Sequence, residues 1–361
     1  MINTSRNIDM NRNEMEYGLD YFKLIASLFV VGMHMEFLKD VGEVGYKIAD
    51  YIFRFAVPFF FMSSGFLFEG HGFQKHDDVK KYGKKFIKKL IIPFVLWGGV
   101  YAVIDIVGDV FIDKIPMVDA CVTKLCEILT ESPGGGLWYI YSLIWIVIVL
   151  IFIYDPQKDK SFLMLTTAFL LLYFLKAMWK TPAIEIGIIQ WTRNVYTLIF
   201  SSDRTFLFHG IFYIIGMILA KKKRKLKKVS PLVVGLLLLI NYGIYYISGL
   251  YETTVAGGLL CQFFRLMVTI CLIWLALVVN LPKGFRDDTL SKIMREMSTI
   301  IYFSHFFLIY MLRFLAKICD INYTDNLTLL CVISWCALLA YSWIISTNNR
   351  YIKLKKMIYP I

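Results

Sequence analysis

Ten apolar stretches, each near the roughly 20 residues that cross a hydrocarbon core of about 30 Å, recur along the 361-residue chain. They run over residues 22–38, 48–69, 90–111, 137–154, 161–179, 205–220, 230–250, 258–281, 297–316 and 327–347. A hydrophobic share of 58% and a mean hydropathy of +0.61 fit this pattern. A backbone in lipid must satisfy its own hydrogen bonds, so such spans are helices. The expectation is an all-α, polytopic membrane helix bundle of about ten transmembrane helices. No internal repeat, no paired Gly/Pro-interrupted spans and no soluble domain emerges. One transmembrane domain, 22–347, is therefore expected between an N-terminal segment, 1–21, and a basic tail, 348–361. No short hydrophobic segment with a small-residue cleavage site opens the chain, so 22–38 reads as a retained span.

Charge orients the bundle. The runs Lys80 to Lys89 and Lys221 to Lys228 fall in alternate connections, while 251–257 holds no Lys or Arg. By the positive-inside rule both basic runs and both termini face the cytoplasm. Juxtamembrane cations on an anionic leaflet account for the net charge of +12 without a nucleic-acid partner. The lipid bilayer is the partner this composition demands. The longest outer connections are 112–136, ending in Ser132-Pro-Gly-Gly-Gly136, and 180–204; within the first, Val118 to Thr130 has the spacing of a short interfacial helix. Seven cysteines, at 121, 126, 261, 271, 319, 331 and 336, show no metal spacing and read as packing residues. No Walker, Rossmann or zinc-protease motif occurs.

Ionisable groups at bilayer depth ask for a function. His34 lies inside the first apolar run and His305 inside the ninth, whereas His209 lies nearer a span end and His71 and His76 in a cytoplasmic connection. An imidazole can take a proton from a hydroxyl near pH 7 and return it, as a general base in acyl transfer does. Lys23 precedes His34 by eleven residues, about 16 Å of helix, so the two serve different ends of a path. In that geometry Lys23 holds an anionic group near the cytoplasm and His34 does proton work deeper in. The plainer alternative is a snorkelling Lys23 and a hydrogen-bonded packing histidine. Gly65 allows close helix approach, with Ser63 and Ser64 able to bond across helices or simply to pack. Asp105, Asp109 and Glu69 near span ends read as solvated, and Trp138 and Tyr139 as an interfacial aromatic belt or a stacking wall.

The segment Leu19-Asp-Tyr-Phe-Lys-Leu-Ile-Ala-Ser-Leu-Phe-Val-Val-Gly-Met-His34 resembles the first span of the acyltransferase 3 family, in which a basic residue precedes a functional histidine by eleven. Val57-Pro-Phe-Phe-Phe-Met-Ser-Ser-Gly-Phe66, Lys88-Lys-Leu-Ile-Ile-Pro93, Leu137-Trp-Tyr139, Asp203-Arg-Thr-Phe-Leu-Phe-His-Gly210 and Ile301-Tyr-Phe-Ser-His305 follow in family order. The family usually has Arg where this chain has Lys23, a point charge in place of a bidentate fork. The resemblance implies a ten-helix bundle that moves an acyl group from a cytoplasmic acyl-CoA to a hydroxyl on a carbohydrate or cell-wall acceptor outside. It makes His34, Lys23 and His305 the candidate catalytic residues. Arg54, Ser64, Trp138, Tyr139, Arg204 and Tyr302 become candidate substrate contacts, and Lys85, Lys88 and Lys89 candidate donor-phosphate contacts. No metal and no bound cofactor is expected.

The chain also resembles the membrane half of the membrane-bound serine racemases of vancomycin-resistance operons. That implies a covalently attached cytoplasmic racemase domain, absent from these residues, to which the bundle supplies L-serine from outside, with His34 and Arg204 holding the carboxylate. This reading stands slightly ahead of a free-standing acyltransferase, and a passive membrane anchor is the third. A multi-pass protein of a bacterial-type plasma membrane is expected in each case.

Overall fold

Hydrocarbon leaves no water to bond an open carbonyl, and the fold follows from that. The computed structural model describes residues 16–111, 113–130, 136–200, 204–320 and 322–348, and every regular element among them is helical. Ser132 to Gly135 of the glycine-rich hinge, Asp203, residues 1–15 of the N-terminal segment and the tail from 349 lie outside the described residues. The α-helices are α1 (Tyr17–His34), α2 (Glu43–Phe53), α3 (Ala56–Glu69), α4 (His76–Phe111), α5 (Met117–Thr130), α6 (Trp138–Ile153), α7 (Asp159–Met178), α8 (Gly187–Ile199), α9 (Phe206–Leu226), α10 (Pro231–Leu250), α11 (Val255–Val278), α12 (Asp288–Ile318) and α13 (Leu327–Thr347).

Seven segments are long and apolar enough to cross a membrane: Glu43–Glu69, His76–Phe111, Asp159–Met178, Pro231–Leu250, Val255–Val278, Asp288–Ile318 and Tyr323–Thr347. The chain is thus a polytopic helix bundle. The other three expected spans correspond to α1, α6 and α9. Of these α6 has only 16 residues, and α9 ends in Lys223, Arg224 and Lys225, which lowers its mean hydropathy.

Several boundaries differ from expectation for physical reasons. The stretch 48–69 is two helices, broken at Arg54 and Phe55, because Pro58 has no N–H to donate to the Arg54 carbonyl. Arg265 on α11 donates its Nη2 to that carbonyl instead, at 3.3 Å. The connections 70–89 and 282–296 are largely helical extensions, so Lys84, Lys85, Lys88 and Lys89 stand exposed along the first turns of α4. The short helix expected over 118–130 is α5, while 180–204 holds a 3-10 turn, Pro182–Glu185, and α8.

Helix directions can be read from contacts. Along α1 and α12, Tyr17 bonds Asp288, Ser291 and Arg295 bond Asp20, and Ser298 bonds the Lys23 carbonyl, so the pair runs parallel. α3 and α9 are also parallel: Phe61 meets His209, Phe68 meets Tyr213, and Glu69 pairs with Lys221. Here Gly65 and Gly216 bring the backbones together, since a Cβ on Gly65 would meet the Tyr213 carbonyl and one on Gly216 the Met62 carbonyl. α4 and α6 are antiparallel, with Gly83 against Ile151 and Phe94 against Tyr141. So are α1 and α13, where Trp335 donates to the Leu28 carbonyl and Tyr323 to Met35 Sδ. One end of the bundle collects the lysine runs together with Glu16, Asp20, Glu69 and Arg295. The opposite end carries α5, α8 and the 35–42 turn, in which Asp40 accepts from the backbone N–H of Thr328 at 3.1 and 3.2 Å and from its hydroxyl.

Candidate functional site

α1 ends at His34, and α12 places His305 beside it, with ring centroids 5.6 Å apart and planes at 29°. Phe306 closes on both rings, at 4.5 Å from His34 and 4.6 Å from His305. His305 Nδ1 lies 2.6 Å from the Tyr302 carbonyl and 3.2 Å from that of Ile301, one and the preceding position of its own helix turn. A carbonyl only accepts, so Nδ1 carries the proton and Nε2 keeps a lone pair. That Nε2 is buried, on a side chain 1% exposed, with no hydrogen-bond partner among the described residues. A fully buried acceptor left open is unusual in a packed interior. It marks a place where a proton can be received.

Around this pair the bundle gathers hydroxyls. Tyr302 stacks edge-on to Tyr139 at 5.5 Å, and its own hydroxyl donates to the Gly136 carbonyl at 2.6 Å. Gly136 is obligatory there, because a Cβ would enter the Phe306 ring. Ser64 Oγ and Tyr139 Oη are 2.9 Å apart, a bond across α3 and α6, whereas Ser63 bonds back to the Phe60 carbonyl within its own helix. Trp138 packs on His209 at 5.0 Å, and His209 on Phe61 at 5.4 Å, with His209 Nδ1 donating to the Thr205 carbonyl. Arg204 is exposed at the start of α9, its carbonyl accepting from Ser142. The guanidinium groups of Arg204 and Arg313 stand close enough to act on the charge of the His34 ring.

His34, His305, Ser64, Trp138, Tyr139 and Tyr302 therefore meet in one neighbourhood, with Arg204 at its edge. Three other candidate groups lie elsewhere. Arg54 pairs with Asp50 at 2.5 Å and covers the Tyr51 ring, on the flank that faces α10 and α11. Lys23 sits at the other end of α1, within electrostatic reach of Asp20 and Arg295. Lys85, Lys88 and Lys89 lie on the exposed face of α4 at that same basic end. No group of three or more His, Cys, Asp or Glu side chains that could hold a metal occurs among the described residues.

Sequence reasoning left out four participants. His209 reads as a span-end residue, yet it stands between Trp138 and Phe61, and the Phe-His-Gly210 motif was its only signal. Phe306 and Tyr101 show no motif; the Tyr101 hydroxyl donates to the Phe303 carbonyl and ties α4 to the histidine-bearing helix. Arg295 falls in a stretch expected to be a connection, but it makes two bonds to Asp20, whose carboxylate is 5% exposed and also accepts from Ser291 at 2.7 Å.

Residues 16–347 match the profile of the family described as an acyltransferase domain, Acyl_transf_3. Among curated proteins, the chain is similar to an amino-acid racemase of Enterococcus faecalis, 27% identical over 240 residues that cover 65% of this chain and 32% of that protein. It is also similar to a serine/alanine racemase of Enterococcus gallinarum, 24% identical over 238 residues, 59% of this chain and 30% of the relative. The chain spans about a third of the length of these curated relatives. No solved structure gives a significant match.

Proposed function

From the premise that the chain belongs to the acyltransferase-domain family, matched over residues 16–347, we propose that it moves an acyl group from a donor at the basic end of the bundle to a hydroxyl at the opposite end. The observation that carries this reading is the His34–His305 pair, a half-buried imidazole beside a buried one whose acceptor nitrogen is open. His34 takes the proton of the acceptor hydroxyl as its oxygen attacks the donor carbonyl. The new ester C–O bond forms, the donor's bond to the acyl carbon breaks, and the held proton passes to the leaving group. If the donor is an acyl-CoA, that leaving group is a thiolate, and the products are an ester and the free thiol. His305 presents Nε2 to the same space and steadies the cation that forms on His34. Tyr139, Tyr302 and Ser64 orient the hydroxyl substrate, with Trp138 as a wall and Arg204 at the entrance.

Lys23, with Arg295 and Asp20 beside it, and the exposed Lys85, Lys88 and Lys89 suit the phosphates of a nucleotide-bearing donor at the basic end. Arg54 has no part in this reading, being paired with Asp50 away from the histidines. In a bilayer, the parallel and antiparallel pairings are those of ten alternating spans. That supports a cytoplasmic basic end and cytoplasmic termini for a domain 22–347 flanked by segments 1–21 and 348–361, in a plasma membrane of bacterial type.

The two racemase relatives favour a second reading. In it the bundle is the membrane part of a longer racemase and supplies L-serine to it, His34 and Arg204 holding the carboxylate. One experiment separates the two. Purified protein, wild type and His34→Ala, is followed by thermal unfolding with acetyl-CoA and with L-serine and by formation of an acylated product. Saturating ligand at about a hundred times its Kd raises stability by roughly 2.7 kcal/mol. Stabilisation by acetyl-CoA with product lost in His34→Ala is expected. Stabilisation by L-serine alone moves the conclusion to the second reading, and undiminished product from His34→Ala removes His34 as the base.

A further inference from the structure

Two helices at the end of the bundle opposite the lysine runs turn an apolar stripe outward, away from the protein. On α5, Lys124 is 8% exposed and bonds Asp105 of α4 at 2.9 Å and Glu127 at 2.5 Å, so a charge faces the protein. The stripe formed by Met117, Val118, Val122 and Leu125 is 55–72% exposed. On α8, Ile189 and Tyr196 face inward, and Tyr196 bonds the Thr205 hydroxyl at 3.0 Å. Ile188, Trp191, Val195, Leu198 and Ile199 form an outer stripe, 37–85% exposed, and Gln190, Arg193, Asn194 and Thr197 a third, polar face.

We propose that α5 and α8 lie in the plane of the membrane at that end, their apolar stripes seated at the boundary between headgroups and acyl chains of the lipid leaflet. An interfacial helix has this design: one apolar face several ångströms into the leaflet, one polar face in water. Continuity names the occupant. The lipid-facing flank of α4, with Val103, Val107 and Phe111 at 61%, 49% and 69% exposed, leads within a few residues into the stripe of α5. The flank of α7, with Leu163 and Leu171 each 66% exposed, leads in the same way toward α8. The bilayer that covers those flanks reaches both stripes.

The seating bears on the histidine site. Asp105, which holds Lys124, also accepts from Tyr310 at 2.9 Å, and Tyr310 lies against Phe306 on the His305 helix. Thr205, which Tyr196 bonds, lends its carbonyl to His209. The leaflet thereby helps to hold both sides of the site mouth.

A native cysteine on α5 makes the test direct. Cys121 lies within the apolar stripe between Met117 and Leu125, Cys126 flanks the stripe one turn beyond Val122, and exposed Thr123, about 100° around the helix from Val122 and about 200° from Cys121, lies off it. In the full chain in lipid nanodiscs, with the other exposed cysteines replaced (Cys126→Ser, Cys319→Ser, Cys336→Ser), an environment-sensitive fluorophore is placed singly at Cys121 or, with Cys121→Ser, at Thr123→Cys. The label at 121 should be blue-shifted and quenched at least twofold more by brominated lipid than by aqueous iodide, and the label at 123 the reverse. Leu198→Cys and Thr197→Cys, about 100° apart, give the same comparison on α8, should either α5 label disturb folding. Equal iodide quenching at 121 and 123, and at 198 and 197, would place the stripes in water. Protection of 121 from both quenchers, with disulfide trapping between chains through Cys121, would put a second copy there. Either result overturns the proposal.

Discussion

Replacing Gly65 by alanine tests the closest contact in the bundle. A Cβ at that position would stand 2.7 Å from the Tyr213 carbonyl carbon and 3.0 Å from its Cα, with the carbonyl oxygen nearer still. Carbon atoms pack at about 3.5–4.0 Å, so α3 and α9 must part by roughly 1 Å. Two effects compete. Alanine is the better helix former by about 1 kcal/mol, while overpacking costs about 1–3 kcal/mol. The obstacle here is backbone, which has no rotamer to escape into, so the upper figure applies and the net loss is about 2 kcal/mol. Thermal unfolding in detergent should show a fall of about 3 °C for a chain of this length. Gly216→Ala meets the same interface from the other side, 2.8 Å from the Met62 carbonyl carbon and the Phe66 nitrogen. Once one methyl has parted the helices, the second enters an opened gap. The double variant should therefore lose less than the sum of the singles, by at least about 0.5 kcal/mol. Strict additivity, or a Gly65→Ala protein as stable as wild type, would refute backbone contact between α3 and α9.

The remaining predictions are independent of that interface. His305→Gln should lower acyl transfer on the order of 10² to 10⁴-fold with little change in melting temperature, since it removes an imidazole that receives no bond at Nε2; equal turnover would exclude His305 from the chemistry. Arg265→Met should cost about 1–3 kcal/mol by orphaning the Arg54 carbonyl that Pro58 leaves open, and a neutral result in unfolding assays would mean another donor serves it. Partial burial pushes the Asp40 carboxyl up, but the bonds from Thr328 outweigh it and hold Asp40 below the ordinary carboxylate range. The unfolded chain then binds the extra proton, so this stabilisation is present above the unfolded value of about 3.9 and is lost as pH falls through the lower folded value. Asp40→Asn should flatten the acid limb of the stability curve below about pH 4, and superimposable curves would refute the role of this tie.

What could be read from the sequence divides by the kind of constraint involved. Apolar runs of bilayer length dictate helices, so the bundle and its core spans were legible, as was α5 from its own periodicity. Pairings were not, because lipid-exposed and buried leucines look alike in sequence. The break at Arg54 needed the knowledge that Arg265 of α11 would cover the carbonyl Pro58 abandons. The histidines were visible as costly groups at depth. Their meeting, and the open nitrogen on His305, depend on α1 and α12 lying side by side. Arg54 shows the opposite case: a cation in an apolar stretch whose partner, Asp50, was one helical turn away.

The parallel packing of α1 and α12 joins the two ends of the candidate path. Eleven residues are three turns of helix and about 20° more, so Lys23 and His34 open on nearly the same side of α1. On α12 the seven residues from Ser298 to His305 close two turns to within about 20° as well. Ser298 bonds the Lys23 carbonyl, and His305 lies against His34, so the seam between these two helices is in register over its length. Asp20 clamps its basic end through Ser291 and Arg295, and Phe306 closes the other. An anion held near Lys23 and a hydroxyl held near His34 would therefore address one line rather than two separate surfaces. A group passed between them has to travel only the roughly 16 Å that α1 itself spans.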